Sequence, residues 1–158
     1  MIKKILDGKT CAECRLCCIF DRYDVWETPV FDESTKKKLE SIRNAEFIKK
    51  DGGYIFKVKS FDENGLFTCP ALDSKIGCIL KDEKPFDCRI WPYRIMKVGN
   101  NRAITIANIC DAMYNKPLSE LVDFLKSGLA SDIFKYADVH PEIVKPYDNS
   151  YPILLIEE

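Results

Sequence analysis

The stretch Cys11-Ala12-Glu13-Cys14-Arg15-Leu16-Cys17-Cys18 places four cysteines within eight positions. The remaining cysteines follow singly, at Cys69, Cys78, Cys88 and Cys110. Thiols packed this closely oxidise readily and thiolates repel one another, so such a group persists mainly when a cation binds it or disulfides consume it. The choice between a metal centre and a disulfide framework therefore decides the expected fold and chemistry.

A disulfide framework is disfavoured, although eight is an even number of cysteines. The opening MIKKILDGKT lacks the apolar core of a secretory signal, and no run approaches the ~18 apolar residues of a membrane span. We therefore expect a cytoplasmic protein, in which thiols stay reduced. Eight cysteines in 158 residues are about 5%, below the ~8–10% of disulfide scaffolds. A Cys14–Cys17 bridge would also close a redox-type loop rather than a structural one.

Length and charge indicate an ordinary globular chain. The 158 residues are typical of one domain, so we expect a single domain over residues 1–158, with a motif core at 11–110 and a C-terminal helix and tail at 117–158. The net charge is −1, with acidic and basic residues interspersed. No basic stripe is present, so we expect no binding to nucleic acid. No apolar span is present either, so we expect no association with a membrane.

The pattern of the first half predicts a helix followed by short strands. The helix is expected from Asp32 to about Lys50, capped by Asp32 or Ser34 and stopped by the turn Asp51-Gly52-Gly53. A strand is expected at 54–59 and a turn at 62–65. Residues 66–68 are then expected to pair back on that strand as a hairpin.

The second half predicts an irregular loop and then regular elements. Prolines and Gly77 interrupt the chain from Cys69 to Pro92, as a loop that presents ligands would require. Strands are expected at 102–109 and 151–156, and a helix at 117–138 whose apolar stripe begins at Leu118. The fold class is therefore α+β, a small domain with cysteine-rich metal-binding loops, a few short antiparallel strands and two main helices.

The spacing Cys-x2-Cys-x2-Cys lets one loop offer three thiolates to a metal centre. Bacterial ferredoxins use it for three ligands of a cubane cluster, with a fourth cysteine, followed by proline, from elsewhere; Cys69-Pro70 is a dipeptide of that kind. Zinc accepts the same spacing, so spacing does not distinguish the two. An all-thiolate set disfavours magnesium and calcium, which prefer oxygen. We expect Cys11, Cys14 and Cys17 to bind one centre together.

Eight cysteines fill two four-ligand sites, with one site and several buried free cysteines as the alternative. The adjacent pair Cys17-Cys18 favours two sites, because neighbouring side chains usually diverge and one thiolate could face each. All eight are candidate metal ligands: Cys11, Cys14, Cys17, Cys18, Cys69, Cys78, Cys88 and Cys110.

Four thiolates around zinc or an oxidised cubane leave a net charge near −2, which nearby donors must compensate. Arg15 lies inside the first cysteine loop, Lys84 precedes Pro85, and Arg89 follows Cys88 directly. We take Arg15, Lys84 and Arg89 as candidate cofactor-binding residues, with Arg94 nearby; the alternative is that they are exposed, solubilising charges.

The cysteine segments, in order, carry a family resemblance. CAECRLCC, then Cys69-Pro70, then Gly77-Cys78-Ile79, then the stretch PFDCRIWPY at 85–93 resemble the CxxCxxCC cysteine-cluster family (YkgJ-like), whose members are described as zinc- or iron-chelating. The resemblance runs from Cys11 to about Arg94, and Cys110 resembles a further family cysteine. Lys84 departs from it, because the family usually has arginine before the proline and lysine lacks the forked donor.

The resemblance implies metal binding more than any one reaction. A similar motif occurs in bacterial flagellin lysine methylases, which implies iron–sulfur chemistry. We expect one or two 4Fe-4S clusters serving electron transfer or cluster-based redox chemistry, with a redox protein as partner. The alternatives are a Zn2+-binding structural or interaction module and a metal- or sulfur-delivery protein.

No nucleotide-binding or hydrolase motif appears, and His140 is the only histidine. Any catalysis is therefore expected at the metal, as oxidoreductase chemistry, and the sequence assigns no small-molecule substrate.

Overall fold

A computed structural model describes residues 1–50 and 52–157 and has an α+β fold. Asp51, expected in a turn, and the last residue of the expected domain lie outside the described residues. The α-helices are Gly8–Cys14 (α1), Glu33–Arg43 (α2), Phe86–Ile90 (α3), Asp111–Tyr114 (α4), Leu118–Phe124 (α5) and Ala130–Val139 (α6). The strands are Ile19–Phe20 (β1), Phe47–Lys50 (β2), Gly53–Phe56 (β3), Phe67–Thr68 (β4), Leu72–Asp73 (β5), Gly77–Cys78 (β6), Tyr93–Val98 (β7), Asn101–Ile106 (β8), Lys145–Pro146 (β9) and Ile153–Ile156 (β10).

Contacts divide the chain into two compact units. The cysteine unit is Gly8–Arg89, and the sheet unit is Met1–Asp7 together with the chain from Ile90 onward. The expected motif core at 11–110 thus extends over both units, with Cys110 as its cysteine in the sheet unit. Each unit is described by itself below.

Two-stranded ladders surround an aromatic core in the cysteine unit. The antiparallel pairs are β1 with β4, β2 with β3, and β5 with β6. Ring centroids lie 5.3 Å apart for Phe20 and Phe67 and 5.8 Å apart for Phe56 and Phe67. Phe31 and Leu39 complete the buried centre of this unit. Because the aromatic rings come from four different segments, the core joins the short ladders into one body.

Helix α2 begins as expected but ends early. The Asp32 carboxylate accepts the backbone N–H of Thr35 at 2.7 Å, which confirms the predicted cap. The helix ends at Asn44, whose φ of 49° is a left-handed conformation that asparagine tolerates. The predicted continuation to Lys50 is wrong, because Phe47–Lys50 pairs with β3 and the Phe47 ring packs edge-on against Phe31 at 5.4 Å.

The predicted hairpin between 54–59 and 66–68 is also wrong. The predicted turn is present, since the Asp62 carboxylate accepts the backbone N–H groups of Asn64 and Leu66 and Gly65 has a φ of 73°. After the turn, however, β4 pairs with β1 and not with β3. A local turn sequence specifies that the chain reverses its direction, but it does not specify with which strand the following segment pairs.

In the sheet unit, a four-stranded sheet has the order β10-β8-β7-β9. Strands β7 and β8 form an antiparallel hairpin in which Ile95 opposes Ile104, while β9 runs parallel to β7. Both isoleucines are buried. The predicted strands at 102–109 and 151–156 are confirmed over Asn101–Ile106 and Ile153–Ile156.

The predicted C-terminal helix is present as α5 and α6, joined by a π-helical turn at Leu125–Leu129. Gly128 interrupts the helical backbone there with a φ of 131°. The expected apolar stripe is buried at Leu121, Leu125 and Ile133, but Leu118, the first residue of α5, is 64% exposed. Over the described ranges, no helix has the length and apolar character needed to cross a membrane.

Candidate thiol site

Helix α1 and the turn after it position the first four cysteines. Cys11 and Cys14 lie on α1, while Cys17 and Cys18 lie on a 3-10 turn at Leu16–Cys18. Arg15 joins the two with a left-handed φ of 61°, and its Nε donates to the Ala12 carbonyl at 2.6 Å. The observed contact of Arg15 thus stabilises the bend between the two cysteine pairs, and its role in compensating thiolate charge stays a prediction.

The β1–β4 ladder brings Cys18 to Cys69. Ile19 opposes Thr68 and Phe20 opposes Phe67, so Cys18 and Cys69 occupy the next position of the same register. The Cys69 N–H donates to the Cys18 carbonyl at 2.8 Å. Cysteines far apart in sequence are therefore neighbours at the end of one ladder. The sequence interpretation missed this pairing because it assigned β4 to another strand.

Cys78 lies in the same neighbourhood. It stands on β6, where it opposes Leu72, and the Leu72 N–H donates to the Cys69 carbonyl at 2.9 Å. Cys69 belongs to the aromatic core, and Cys18 and Cys78 pack against that core. Cys18, Cys69 and Cys78 thus share one largely apolar environment.

The sulfurs of Cys17 and Cys18 lie 3.9 Å apart. They are therefore neighbours on the 3-10 turn, whereas the argument for two sites expected them to diverge. The contact with Cys17 lowers the pKa of the Cys18 thiol. A side-chain hydrogen bond with Cys69, burial, and the charges of Cys69 and Cys78 oppose this more strongly, and together they raise that pKa to about 12.

Helix α1 packs on β6. A Cβ built on Gly77 would lie 3.2 Å from the Ala12 Cβ, and Gly77 has a φ of 77°. Glycine therefore serves two needs at this position, the left-handed backbone and the close approach of the helix. The contact places the segment carrying Cys11 and Cys14 against the segment carrying Cys78.

Cys88 and Arg89 lie on α3, which begins directly after Pro85. Cys88 and Arg89 both donate their backbone N–H groups to the Pro85 carbonyl at 3.0 Å. The Arg89 guanidinium lies 5.4 Å from the centre of the Phe86 ring. Its Nε is buried and has no hydrogen-bond partner among the described residues. A buried, unsatisfied cationic donor beside a cysteine is suited to an anionic acceptor such as a thiolate.

The remaining residues that the sequence singled out are Lys84, Cys110 and Arg94. Lys84 is half-buried before Pro85. In the sheet unit, Cys110 is buried and its carbonyl accepts the N–H groups of Met113 and Tyr114 at the start of α4. Arg94, in the same unit, is buried with its guanidinium 4.2 Å from the centre of the Trp91 ring.

The donor set fits a metal only in part. Soft thiols in an apolar setting suit zinc or an iron–sulfur cluster, and the 3.9 Å between the Cys17 and Cys18 sulfurs is close to the ~3.8 Å edge of a tetrahedron with ~2.3 Å Zn–S bonds. Yet within residues 1–50 and 52–157 no group of three or more His, Cys, Asp or Glu side chains is arranged to hold an ion. One pair has ligand spacing, and further ligands require side-chain movement.

A cavity of about 380 Å³ lies beside the buried cysteine of the ladder. Its lining includes Thr68 and Pro70, the two neighbours of Cys69. Lys57 and Lys59 also line it, and both pair with the Glu46 carboxylate, at 3.2 and 3.0 Å. Arg43 and Asp62 line it as well, so the lining carries one net positive charge, which is too little to indicate the charge of a ligand.

We expect the thiols of the reduced, metal-free chain to alkylate in a defined order. Cys14 is exposed and should react first, while Cys69 is only 6% exposed. A pKa of about 12 in place of 9.0 lowers the thiolate fraction of Cys18 at pH 8 about a thousandfold. A time course with iodoacetamide, read by peptide mass spectrometry, checks the order. Equal rates at Cys14 and Cys18 would contradict the described environment of Cys18.

No protein-family model matches the chain, and no similar protein was found among curated proteins or solved structures. The resemblance to the CxxCxxCC cysteine-cluster family therefore stays a prediction from the quoted motifs.

Proposed function

We propose that the protein binds one or two 4Fe-4S clusters through its cysteines and acts in electron transfer or cluster-based redox chemistry. The observation that carries the proposal is the convergence of Cys18, Cys69 and Cys78 at the end of the β1–β4 ladder and on one apolar core. With Cys17, the neighbour of Cys18, these cysteines would supply the four soft ligands that a cubane needs once their side chains move together.

The surroundings of the thiols support a metal rather than isolated thiols. The pKa of the Cys18 thiol is raised because a negative charge there would be poorly solvated and close to other sulfurs. A bound cation reverses this balance, because it stabilises each thiolate directly. The unsatisfied Arg89 Nε is a further donor suited to thiolate charge.

The contacts favour a ligand grouping different from the first expectation. The sequence spacing placed Cys17 with Cys11 and Cys14. The 3.9 Å contact with Cys18 supports assigning Cys17 to the set of Cys18, Cys69 and Cys78 instead. Cys11, Cys14 and Cys88 of the same unit are then candidates for a second centre.

In this proposal the cluster supplies one-electron redox chemistry when bound, and the chain holds it in an apolar setting that limits access of water. Burial and charge around a cluster set its reduction potential. The aromatic core against which Cys18, Cys69 and Cys78 pack would serve that role. We propose a cytoplasmic protein with a redox protein as its partner; if it is an enzyme, its reaction is of the oxidoreductase type.

A zinc-binding structural or interaction module is the second candidate, and the 3.9 Å sulfur pair favours it. Two cysteines on one zinc ion lie about 3.8 Å apart, as follows from ~2.3 Å Zn–S bonds in a tetrahedron. Cysteines of a cubane bind different irons and are spaced more widely. Delivery of metal or sulfur to another protein is compatible with either metal and would appear as transfer to an apo acceptor.

The deciding experiment is metal and sulfide analysis of full-length protein purified without oxygen. Iron with matching acid-labile sulfide, a brown colour and an electron paramagnetic resonance signal after reduction are expected. Cys18→Ser should lose at least half of the iron. Ser127→Ala is the control, because this exposed side chain bonds to the Phe124 carbonyl and is not a candidate ligand, and the variant should retain the iron of the unaltered chain.

Two outcomes decide against the first candidate. The first is a colourless preparation that contains stoichiometric zinc and whose zinc content falls in Cys18→Ser. This result would establish the zinc-binding module in place of the iron–sulfur protein. A preparation with neither metal after growth in iron- and zinc-supplemented medium would overturn both candidates.

A further inference from the structure

The cross-strand position of Cys18 and Cys69 is suited to a disulfide. Directly opposed residues of an antiparallel pair have Cα atoms about 4.5–5.5 Å apart, and disulfides span about 4.4–6.8 Å between Cα atoms. Cys18 and Cys69 continue the register of the β1–β4 ladder, and the Cys69 N–H bonds to the Cys18 carbonyl at 2.8 Å. Both residues pack in the same core. The strand positions are therefore compatible with a disulfide between these two cysteines.

We propose that, in the metal-free chain, Cys18 and Cys69 are a redox modification site that low-molecular-weight disulfides oxidise to a cross-strand disulfide, with Cys17 as the entry thiol. A small disulfide cannot easily reach Cys69, which is 6% exposed. Cys17 is only half-buried and its sulfur lies 3.9 Å from that of Cys18. Cys17 and Cys18 are both half-buried, so a small disulfide reaches this pair more readily than it reaches the buried Cys69.

The chemistry is a relay of thiol–disulfide exchanges. The Cys17 thiolate attacks the small disulfide, whose S–S bond breaks and releases one thiol. The Cys18 sulfur then attacks the Cys17 sulfur and the second small thiol leaves with a proton. The Cys69 sulfur finally attacks Cys18, and its proton returns to Cys17 as that thiol leaves. In sum, the two protein thiols lose two electrons and two protons, and one small disulfide becomes two thiols.

Geometry favours the Cys18–Cys69 disulfide over the Cys17–Cys18 disulfide in the last exchange. A bond between the adjacent residues Cys17 and Cys18 closes a small, strained ring, and strain makes a disulfide easier to reduce. A bond between Cys18 and Cys69 joins residues already opposed across the ladder. The buried cross-strand product is therefore the expected end point, with Cys17 returned as a thiol.

The test uses the reduced full-length chain, freed of metal with a chelator and treated with glutathione disulfide. Remaining thiols are blocked with N-ethylmaleimide, and linked peptides are identified by mass spectrometry without reduction. We expect the Cys18–Cys69 peptide as the main product. Cys17→Ser should reach the same product at least tenfold more slowly, whereas Cys69→Ser should stop with the oxidation held at Cys17. Circular dichroism verifies that each variant is folded.

The unaltered chain, treated in parallel, supplies the reference rate. A main product that excludes Cys18 or Cys69 overturns the proposal, as does an unchanged rate in folded Cys17→Ser. The inference does not require the metal proposed above. The disulfide is measured in the chelated, metal-free chain, whereas the metal proposal is tested by the metal content of the purified protein. Either proposal can therefore fail without the other.

Discussion

Phe31→Ala is expected to lower the free energy of unfolding by about 3–5 kcal/mol, the range for truncating a fully buried phenylalanine. Phe31 is 1% exposed, and its ring packs edge-on against Phe47 at 5.4 Å and Phe56 at 6.1 Å. Its backbone is fixed by two hydrogen bonds with Tyr54, at 2.7 and 2.9 Å. Because the surrounding rings come from separate segments, they cannot all collapse into the space left behind.

Phe61→Ala is the matched control for this prediction. Phe61 belongs to the same unit and lies edge-on to Phe67 at 5.5 Å, but it is 55% exposed. Its truncation should cost no more than about 1.5 kcal/mol, the upper range for one aromatic pair. Urea unfolding of the reduced, chelated chain, followed by circular dichroism, measures both variants. Equal losses for Phe31→Ala and Phe61→Ala would show that the described core is not the stabilising centre.

Gly53→Ala is expected to destabilise by about 1–3 kcal/mol, the cost of forcing an extra methyl group into a packed site. A Cβ at Gly53 would lie 2.6 Å from Val30 Cγ1 and 2.8 Å from the Phe31 carbonyl oxygen. The side chain of Val30 can rotate, but the carbonyl is held because it accepts the Tyr54 N–H. The bridge between Phe31 and β3 must therefore open or shift.

Gly8→Ala tests whether the effect of Gly53→Ala comes from this contact. A Cβ at Gly8 would meet nothing within 4 Å, and Gly8 is the first residue of α1. Alanine favours a helix, so this change should be neutral or stabilising by up to about 1 kcal/mol. The same urea experiment compares the two glycines. A Gly53→Ala midpoint equal to that of Gly8→Ala would contradict the close approach of Phe31 and Gly53.

The sequence predicted those elements that depend on residues close together in the chain. The Asp32 cap and the Asp62–Gly65 turn depend on side chains that bond to nearby backbone, so the sequence alone indicates them. The C-terminal helix follows from a long apolar stripe. The end of α2 was not predictable in this way, because Phe47 fits a helical spacing but is drawn into β2 by its contact with Phe31.

The same limit applies to the candidate site. The sequence identified the cysteines, and it singled out Arg89 because that residue follows Cys88. It did not indicate which sulfurs meet, because this depends on the pairing of two strands of two residues each. The expected divergence of Cys17 and Cys18 is a general tendency of neighbours, and the 3-10 turn of Leu16–Cys18 overrides it by placing their sulfurs 3.9 Å apart.

The pairing of β1 with β4 has a consequence for the synthesis of the protein. Strand β1, which follows Cys18 directly, leaves the ribosome about fifty residues before its partner β4. At ~5–20 residues per second this is an interval of about 3–10 s. During that time the Cys18 thiol lacks the strand that pairs beside it in the folded unit. We therefore expect the Cys18 thiol to be more open to oxidation during translation than in the folded protein.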